Sequence, residues 1–361
     1  MNSPVPQQKA RSSVETWLST VLLDDLDDSV REPLSAALAA VQTSIAEHTK
    51  ASEVFLTVVM RTQGRKIEAF RDALLTLYGQ TDQDFELLIM PHNVDADTLE
   101  RIESVVADQA PSFRRRIRVI PVNGGNRSRP LNESLGHATG QYLAFFDDDD
   151  LVLGNWVELF RKASKQHPGR LVRTIAATQR MQPEEWPGGT RGFRTTPRPS
   201  TPSPATFEIE HHLERNHSPF MSVAFPWELF ALWGNRFDEE LDVTEDWDMI
   251  LRGAFLVGVV SVEELAVIYR FWDGVTSSYT EHDRLAWSTS EARVRRKLNA
   301  RPLILPEGAP QAIVGSIGEI VPGASSDARL NEMLQSNSWK ITRPLRDIKV
   351  FAQRVSRRIR R

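Results

Sequence analysis

Two acidic clusters are the stretches of this sequence whose residue types could do chemistry. The first is the run Asp147–Asp150, which directly follows the apolar stretch Tyr142–Phe146. Carboxylates this close raise one another's pKa, and burial at a strand end raises it further. Mg²⁺ or Mn²⁺ would relieve the repulsion, and Mg²⁺ usually takes only one or two protein carboxylates beside water and phosphate oxygens. The run therefore predicts either a metal–diphosphate site or an acidic loop that caps the next helix.

The second acidic cluster is Glu245-Asp246, followed by Asp248, at the start of a predicted helix. Thr244 is the predicted N-cap, and carboxylates in a first helical turn complement the helix dipole. That position lowers the pKa of a carboxyl, so a base here is expected to act by its placement rather than by a raised pKa. Capping is the structural alternative to a chemical role.

The region before the aspartates alternates between apolar, β-rich runs and apolar residues at helical spacing. The four predicted strands are Val54–Met60, Phe85–Met90, Ile117–Val122 and Tyr142–Phe146. This order predicts an α/β domain with a mostly parallel central sheet and flanking helices, whose ligand site lies beyond the carboxyl ends of the strands. Four loops lie at these ends and are expected to converge on one crevice: Arg61–Arg65, Pro91–Asp95, Asn123–Arg129 and Asp147–Asp150.

A short helix is predicted over Asn132–Ala138, just before the fourth strand. Further along the chain, strands are predicted over Leu171–Thr178 and Val259–Arg270. Residues 181–206 are rich in Pro, Gly and Thr, which predicts a long irregular loop. We expect this stretch and the residues up to 216 to shape an acceptor site.

Helical extensions flank the main domain, which is predicted over residues 51–299. Residues 1–50 predict two helices broken near Asp27–Pro33, which pack on the main domain or on a second copy in a homo-oligomer. Residues 300–327 predict a linker. Residues 328–361 predict a basic amphipathic helix, which is typical of contact with an anionic membrane surface. Packing of its apolar stripe on the main domain is the alternative.

The bulk composition excludes several classes of protein. The chain has 361 residues, of which 40% are hydrophobic and 25% charged, as in soluble globular proteins. It has no cysteine, which excludes a disulfide framework and a thiolate site. No apolar run reaches the roughly 18 residues of a transmembrane helix. The net charge of −4 gives no reason to expect a nucleic acid partner. We expect a cytoplasmic protein, peripheral at the inner face of the plasma membrane if the tail binds lipid.

The order of these motifs resembles the family 2 inverting glycosyltransferases, which have the GT-A fold. Val54–Arg65 resembles their first strand and nucleotide-binding loop, and Arg129–Asp150 resembles the helix and strand that lead into their DXD metal motif. Glu245–Arg252 resembles the region of the ED motif, which supplies the catalytic base in that family. The resemblance covers about residues 54–280. More weakly, Ser338–Arg346 resembles the tails of bacterial surface-polysaccharide transferases.

This resemblance implies a metal-dependent inverting glycosyltransferase. It would move a sugar from a nucleotide-diphosphate sugar to a hydroxyl of a glycan or lipid-linked acceptor, in cell-surface polysaccharide synthesis. Asp149, with Asp147 as the next choice, would hold Mn²⁺ or Mg²⁺, and Asp246, with Glu245 second, would be the general base. Donor binding is expected from the strand-end loops and two following arginines: Arg61, Thr62, Gln63, Arg65, His92, Asn93, Arg129, Asn132, Asp147, Asp148 and Arg270. Stacking on acceptor sugars is expected from three aromatic residues: Trp247, Trp272 and Trp186.

Several of these residues have structural alternatives. Arg129 and Arg270 could form surface ion pairs, His92 could hydrogen-bond within its loop, and Trp247 could pack in the core. Where the family usually has acidic residues after its second strand, this chain has Pro91-His92-Asn93. The sequence therefore does not predict the donor nucleotide.

Two other classes of protein are weighed against a glycosyltransferase. A nucleotidyltransferase could share a parallel sheet and an acidic metal site, but the chain has no G-x-x-x-x-G-K-[ST] phosphate loop. A non-catalytic sugar-binding protein would not need both acidic clusters, and both are intact.

Overall fold

The computed structural model describes residues 13–186, 189–195, 198–273, 284–305 and 309–320. The chain divides into two compact units, Met1–Pro306 and Glu307–Arg361. In the second unit the described residues form one helix, Ala309–Ile320, with Pro310 in its first turn, where proline is favoured. This helix lies within residues 300–327, which the sequence predicted to be a linker. The predicted basic helix over 328–361 lies outside the described residues.

The described strands belong to a single sheet. Their bounds are β1 Leu56–Thr62, β2 Phe85–Pro91, β3 Ile117–Val119, β4 Tyr142–Asp147, β5 Leu151–Val152, β6 Leu171–Trp186, β7 Thr190–Thr195, β8 Val223–Pro226 and β9 Val259–Trp272. The order across the sheet is β3-β2-β1-β4-β8-β6-β9-β5, with β7 paired to β6. β1 to β4 run parallel to one another, and β6 runs parallel to β9. β8 lies antiparallel between β4 and β6, so the sheet is mixed.

Helices cover this sheet and extend from both ends of the main unit. Their bounds are α1 Ser13–Val21, α2 Asp28–His48, α3 Ile67–Tyr78, α4 Ala96–Ala107, α5 Pro111–Arg114, α6 Arg129–Leu135, α7 Trp156–Gln166, α8 Ile209–Glu214, α9 Glu228–Ala231, α10 Glu245–Val257, α11 Arg284–Asn299 and α12 Ala309–Ile320. A 3₁₀ turn, Phe220–Ser222, precedes β8. Among the described residues, no helix has both the length and the apolar character needed to cross a membrane.

The first strands are buried on both faces, as their near-continuous apolar runs predicted. In β1, Val58, Val59 and Met60 have no exposed surface. Val58 and Met60 belong to the core on one side of the sheet, and Val59 belongs to the core on the other side. This burial fixes the register of β1 against β4, so that Arg61 pairs with Asp147 at the strand ends.

The region 181–206 differs most from its prediction. It was expected to be irregular, but β6 continues to Trp186 and forms an antiparallel hairpin with β7, from Met181 opposite Thr195 to Trp186 opposite Thr190. Phe193 of this hairpin packs against the cluster formed by Met181 and Trp272. The hairpin is stabilised by contacts far along the chain, which local composition does not encode.

Two helix boundaries also differ from the predictions. α6 begins at Arg129 rather than Asn132 because Pro130 is tolerated in a first turn, where its missing N–H has no intrahelical partner. The break in the N-terminal region ends at Asp27, whose carboxylate caps α2, and Pro33 lies inside that helix. The described part of the extension packs on the main domain, where α1 contacts α10 and α2 contacts α9.

Candidate active site

The four strand-end loops meet at one edge of the sheet, as predicted. Arg61 Nη1 donates to the carbonyl oxygen of Arg127 at 2.9 Å. Thr62 Oγ1 donates to the Asp148 carboxylate. His92 Nε2 lies 3.0 Å from the carbonyl oxygen of Gly124. Each loop is therefore joined to another by a direct hydrogen bond.

The first half of the aspartate run is tied to the loop after β1. Asp147 Oδ1 pairs with Arg61 Nη2 at 2.9 Å. The side chain of Asp147 keeps 32% of its surface exposed, while that of Arg61 keeps 11%. Asp148 accepts the hydroxyl of Thr62, which in turn accepts the backbone N–H of Gly64 at 2.9 Å. The loop and the aspartates are thus one hydrogen-bonded unit.

The second half of the run is tied to α3 and β9. Asp149 Oδ2 pairs with Lys66 Nζ at 2.5 Å, just before α3 begins. Asp150 is buried, and its Oδ1 accepts the backbone N–H of Arg270 at 2.6 Å. Its Oδ2 has no hydrogen-bond partner within the described part of the chain. Asp150 therefore anchors the turn from inside, while Asp149 points outward.

The charges of this run are only partly balanced. Burial and the neighbouring charges of Asp149 and Asp147 together raise the pKa of Asp148 to about 7, against the opposing effects of Thr62 and Lys66. Burial also raises the pKa of Asp149, although Lys66 opposes it, and raises that of Asp150 well above the ordinary value. A divalent cation would remove this repulsion.

The residues fit a divalent ion that takes few protein ligands. Asp147, Asp148 and Asp149 are partly exposed, and carboxylate oxygens are the ligands that Mg²⁺ and Mn²⁺ prefer. Across the described ranges, no group of three or more His, Asp or Glu side chains is placed to hold a metal. An ion here would therefore complete its shell with water and substrate oxygens, as Mg²⁺ commonly does.

In the second acidic cluster, Glu245 is a structural ion-pair residue. Its side chain is only 1% exposed, and its Oε1 lies 3.0 Å from Arg61 Nη1 and 2.7 Å from Arg127 Nε. Burial lowers the pKa of Arg61, but Asp147 and Glu245 raise it more, so this guanidinium stays charged. Arg61 thereby joins the aspartate run to the start of α10.

Thr244 does not cap α10 as predicted. Its backbone is left-handed, with φ of 66°, and its side chain makes no capping hydrogen bond. A β-branched residue rarely adopts this conformation, so the tight entry into α10 is held by the surrounding contacts. The ion pairs of Glu245 are such contacts.

Asp246 is only partly buried and has no cation bonded to it among the described residues. Its Oδ2 accepts Asn216 Nδ2 at 2.8 Å, and its Oδ1 accepts the backbone N–H of Trp247 at 2.7 Å. Burial and the charge of Glu245 together raise the pKa of Asp246 to about 7, against the opposing effects of the Trp247 hydrogen bond and the Arg127 charge. The sequence predicted a lowered pKa from the helix N-terminus, and that prediction was wrong because burial and the Glu245 charge outweigh the dipole.

Asp248, the third acid of this cluster, forms ion pairs between helices. It pairs with Arg252 at 2.7 Å in α10 and with Lys297 at 2.6 Å in α11. Lys297 and Arg293 also pair with Asp238, and their hydrogen bonds hold the pKa of that carboxyl well below its usual range although burial opposes them. These ion pairs dock α11 on the main unit.

Two of the predicted donor-binding residues form hydrogen bonds to backbone atoms of neighbouring loops. Arg270 is buried, donating to the carbonyl oxygen of Asp149 at 2.5 Å and pairing with Asp72 at 2.9 Å. Asn132 accepts the N–H of Phe237 at 2.8 Å and donates to its carbonyl oxygen at 3.0 Å. Both residues position the loops around the crevice.

The other predicted donor-binding residues lie around the mouth of the crevice. Gln63 and Arg65 are exposed in the loop after β1, and Arg129 is exposed beside Glu133 at 3.2 Å. His92 is buried, and its Nε2 lies 3.0 Å from the carbonyl oxygen of Gly124 in the next loop and 3.1 Å from Asn93 Nδ2 in its own loop. Asn93 has a left-handed backbone and accepts Gly124 N at 2.7 Å.

The three tryptophans differ in their surroundings. Trp247 is buried in the core and donates its indole N–H to the carbonyl oxygen of His212 at 2.6 Å. Trp272 lies beside the aspartate run, with Lys66 Nζ 4.8 Å from its ring centroid, and its Nε1 has no hydrogen-bond partner among the described residues. The side chain of Trp186 lies outside the described part.

Sequence reasoning missed three residues of the site. Lys66 and Arg127 lie in or beside the strand-end loops, so their position in a crevice-facing loop was the available signal. Asn216 lies in the stretch expected to shape an acceptor site, but nothing in the sequence distinguishes it from its neighbours. Only the folded chain brings it to Asp246.

The comparisons with known proteins agree with this fold. Residues 57–225 match the family model of glycosyl transferase family 2. Over this region the match confirms the resemblance to family 2 glycosyltransferases read from the sequence, and the sheet topology agrees with their GT-A fold. Comparison with curated proteins gave no match.

Solved structures with a similar fold come from distant sequences. The mannosyltransferase PcManGT from Pyrobaculum calidifontis, in complex with GDP-Man and Mn²⁺, is 12% identical, with a TM-score of 0.50 over 91% of this chain and 93% of that one. S. aureus TarS 1-349 in complex with UDP-GlcNAc is 16% identical, with a TM-score of 0.46 over 62% of this chain and 60% of that one. This chain therefore spans less than two thirds of the TarS structures. Identities this low indicate a shared fold only.

Proposed function

We propose that this glycosyltransferase is metal-dependent and inverting, with Asp149 and Asp147 on the donor side and Asp246 as the general base. The observation that carries this proposal is the position of Arg61. Its guanidinium pairs with Asp147 at 2.9 Å and with Glu245 at 3.0 Å, so the donor-side carboxylates and the residue beside Asp246 border one crevice. A single displacement needs its leaving group and its base on such a shared crevice.

The chemistry begins at the acceptor. Asp246 accepts the proton of the acceptor hydroxyl while the hydroxyl oxygen attacks the anomeric carbon of the sugar. The bond from this carbon to the diphosphate oxygen breaks, the nucleoside diphosphate leaves, and attack from the opposite face inverts the anomeric centre. A pKa of about 7 suits this role, because a general base works best when its pKa lies near the working pH.

The leaving diphosphate requires positive charge. Asp149 and Asp147 would hold Mn²⁺ or Mg²⁺, which supplies Lewis-acid stabilisation of the diphosphate when bound. Lys66 lies within 2.5 Å of Asp149 and provides a second cation at the same place. We assign donor contacts to the loop after β1, to Asp148 and to Arg129, and we assign Arg270 and Asn132 to positioning these loops.

The acceptor is proposed to be a glycan or lipid-linked sugar of a cell-surface polysaccharide. We keep Trp272 in the proposal because its ring lies beside Lys66 and its indole N–H has no partner within the described residues, although the residue is only 6% exposed. Aromatic faces and single polar donors are common in sugar and ligand sites. Core burial of Trp247 removes it from this proposal.

Donor binding and turnover test the proposal directly. A panel of nucleotide sugars, including UDP-GlcNAc, UDP-glucose and GDP-mannose, is screened by thermal shift with MnCl₂, with MgCl₂ and with EDTA. A donor that binds the folded state raises the melting temperature, and EDTA is expected to abolish the rise.

Asp149→Ala should remove the metal-dependent shift, and both Asp149→Ala and Asp246→Ala should abolish transfer. Proton NMR of the product should show the inverted anomer. Unchanged transfer in both variants would overturn the assignment.

Membrane contact by residues 328–361 is a separate proposal from the sequence. The purified chain is mixed with liposomes that contain phosphatidylglycerol, and binding is followed by sedimentation. We expect deletion of residues 339–361 to abolish binding, since each basic residue near an anionic surface contributes on the order of 1 kcal/mol. Equal binding by the truncated chain would contradict a membrane role for the tail.

A further inference from the structure

Asp246 receives its one described side-chain hydrogen bond from a segment distant in sequence. Asn216 Nδ2 donates to Asp246 Oδ2 at 2.8 Å. Asn216 lies between α8 and the 3₁₀ turn that precedes β8, and it is only partly buried. The bond therefore connects the proposed base to a loop on the acceptor side of the crevice.

The amide of Asn216 has a fixed orientation. Its Oδ1 accepts the backbone N–H of Ser218 at 2.9 Å, so its amino group must face Asp246. Rotating the amide by half a turn would place a carbonyl oxygen against the carboxylate and lose both hydrogen bonds. Asn216 thus presents a donor to Asp246 in one geometry.

A buried polar network holds this segment in place. Ser218 and Arg173 are each about 1% exposed, and Arg173 Nε donates to Ser218 Oγ at 3.0 Å. Arg173 also donates to the carbonyl oxygens of Ala205 at 2.7 Å and His217 at 3.3 Å. These three acceptors are neutral, and burial lowers the pKa of the Arg173 guanidinium to about 10. A buried cation without a bonded carboxylate is costly, so its bonds to Ser218 and His217 indicate a strong requirement to fix this segment, which the third bond joins to Ala205 before α8.

His212 fastens the same segment to α10. Its Nε2 lies 2.8 Å from Ser218 Oγ, its Nδ1 lies 2.9 Å from the carbonyl oxygen of Glu208, and burial lowers its pKa to about 3, so it is neutral. The carbonyl oxygen of His212 accepts the indole N–H of Trp247 at 2.6 Å. Since Trp247 directly follows Asp246, the network fixes both the donor and the helix turn that carries the base.

We propose that Asn216 is a positioning residue that holds the Asp246 carboxylate in its working orientation, and that Arg173, Ser218 and His212 hold Asn216 in place. This inference rests on the proposed role of Asp246 as general base. With Oδ2 bound to Asn216 and Oδ1 bound to the Trp247 N–H, the carboxylate cannot rotate freely. Its remaining lone pairs are the ones available to the acceptor hydroxyl.

The test compares Asn216→Ala with Asn299→Ala in the donor-turnover assay, using the nucleotide sugar that gives the largest thermal shift. Asn299 is an exposed residue at the end of α11, so the same substitution there is the matched control. We expect Asn216→Ala to lower kcat about 10- to 100-fold, since hydrogen bonds to charged groups have that effect. We expect the acid limb of the pH profile to move upward by about one unit, because the ionised carboxylate loses a donor. Asn216→Asp should move it further, and Asn299→Ala should keep the wild-type profile.

Thermal unfolding of each variant shows whether the fold is retained. A well-folded Asn216→Ala variant with wild-type kcat and an unmoved acid limb would overturn the inference. A lower kcat with an unmoved limb would also overturn it, because loosening of the segment alone explains that result. If Asp246→Asn abolishes transfer while Asn216→Ala behaves as wild type, only this inference fails. If Asp246→Asn retains transfer, the proposed base and this inference fail together.

Discussion

The two acidic clusters border the same crevice but differ in which of their carboxylates are paired with cations. At the end of β4, Asp147 and Asp149 each face a cation, Arg61 and Lys66. At the start of α10, Glu245 takes both nearby guanidinium groups, Arg61 and Arg127. Its neighbour Asp246 is left with hydrogen bonds from an amide and a backbone N–H.

This difference separates the carboxylates that are paired with cations from the carboxylate that can act as a base. A carboxylate paired with a guanidinium is stabilised in its charged form and becomes a poor base. Asp246 has neutral donors and a charged neighbour, so its pKa rises to about 7. Two adjacent acids of one helix turn can therefore have different roles, because both guanidinium groups form ion pairs with Glu245 and not with Asp246.

Loss of the base should have the largest effect on turnover. We expect Asp246→Asn to lower kcat by about 10²- to 10⁴-fold, since general base catalysis contributes that much. Asp242→Asn, an exposed acid shortly before α10, is the control and should keep wild-type turnover. Transfer is measured by release of the nucleoside diphosphate at saturating donor. Turnover by Asp246→Asn at the level of the control would remove the distinction between the two clusters.

Loss of the paired acid should mainly affect stability. We expect Glu245→Gln to lower the free energy of unfolding by about 3–5 kcal/mol, because it leaves two guanidinium groups beside a buried neutral side chain. Urea unfolding followed by tryptophan fluorescence measures this. Glu103→Gln, on the exposed face of α4, should change stability little. A Glu245→Gln protein as stable as wild type would show that these ion pairs do not hold the start of α10.

Replacement of Asp246 should instead stabilise the fold at neutral pH. The folded-state pKa of Asp246 is raised, so its contribution to stability is fully present below the unfolded pKa and is lost as pH rises to about 7. We therefore expect Asp246→Asn to be more stable than wild type by at most about 1.4 kcal/mol for each pH unit between about 4 and 7. Urea titrations at pH 5 and pH 8 test this, with the larger gain at pH 8. An equal or smaller gain at pH 8 would contradict the raised pKa.

The smallest expected effect concerns the acid limb of the pH profile, which is the fall of kcat at low pH. We expect kcat to fall about tenfold per pH unit below about pH 7, because protonated Asp246 cannot accept the hydroxyl proton. Asp148 also has a pKa of about 7, so Asp148→Asn is needed as a control. A limb that persists in Asp148→Asn belongs to Asp246, and a limb that disappears there belongs to the donor-side cluster.

The sequence by itself determined the frame of this protein. The apolar runs fixed the strands β1, β2 and β4, because a strand buried on both faces leaves a continuous hydrophobic pattern. The order of the strands placed four loops at one edge, and the two acidic clusters were visible as residue types. The helix dipole argument for Asp246 was local, and it predicted the wrong direction for its pKa.

The tertiary structure decided which acid has which role. The pairing of Glu245 with Arg61 and Arg127, and of Asp246 with Asn216, joins residues far apart in the chain. Burial and charge at each carboxylate depend on these distant neighbours, and no local pattern encodes them. The hairpin β6–β7 was missed for the same reason, because its Met181 and Phe193 pack with Trp272, which lies far along the chain. Chemistry at the crevice is set by such long-range contacts, while the fold that brings them together is set by the hydrophobic pattern.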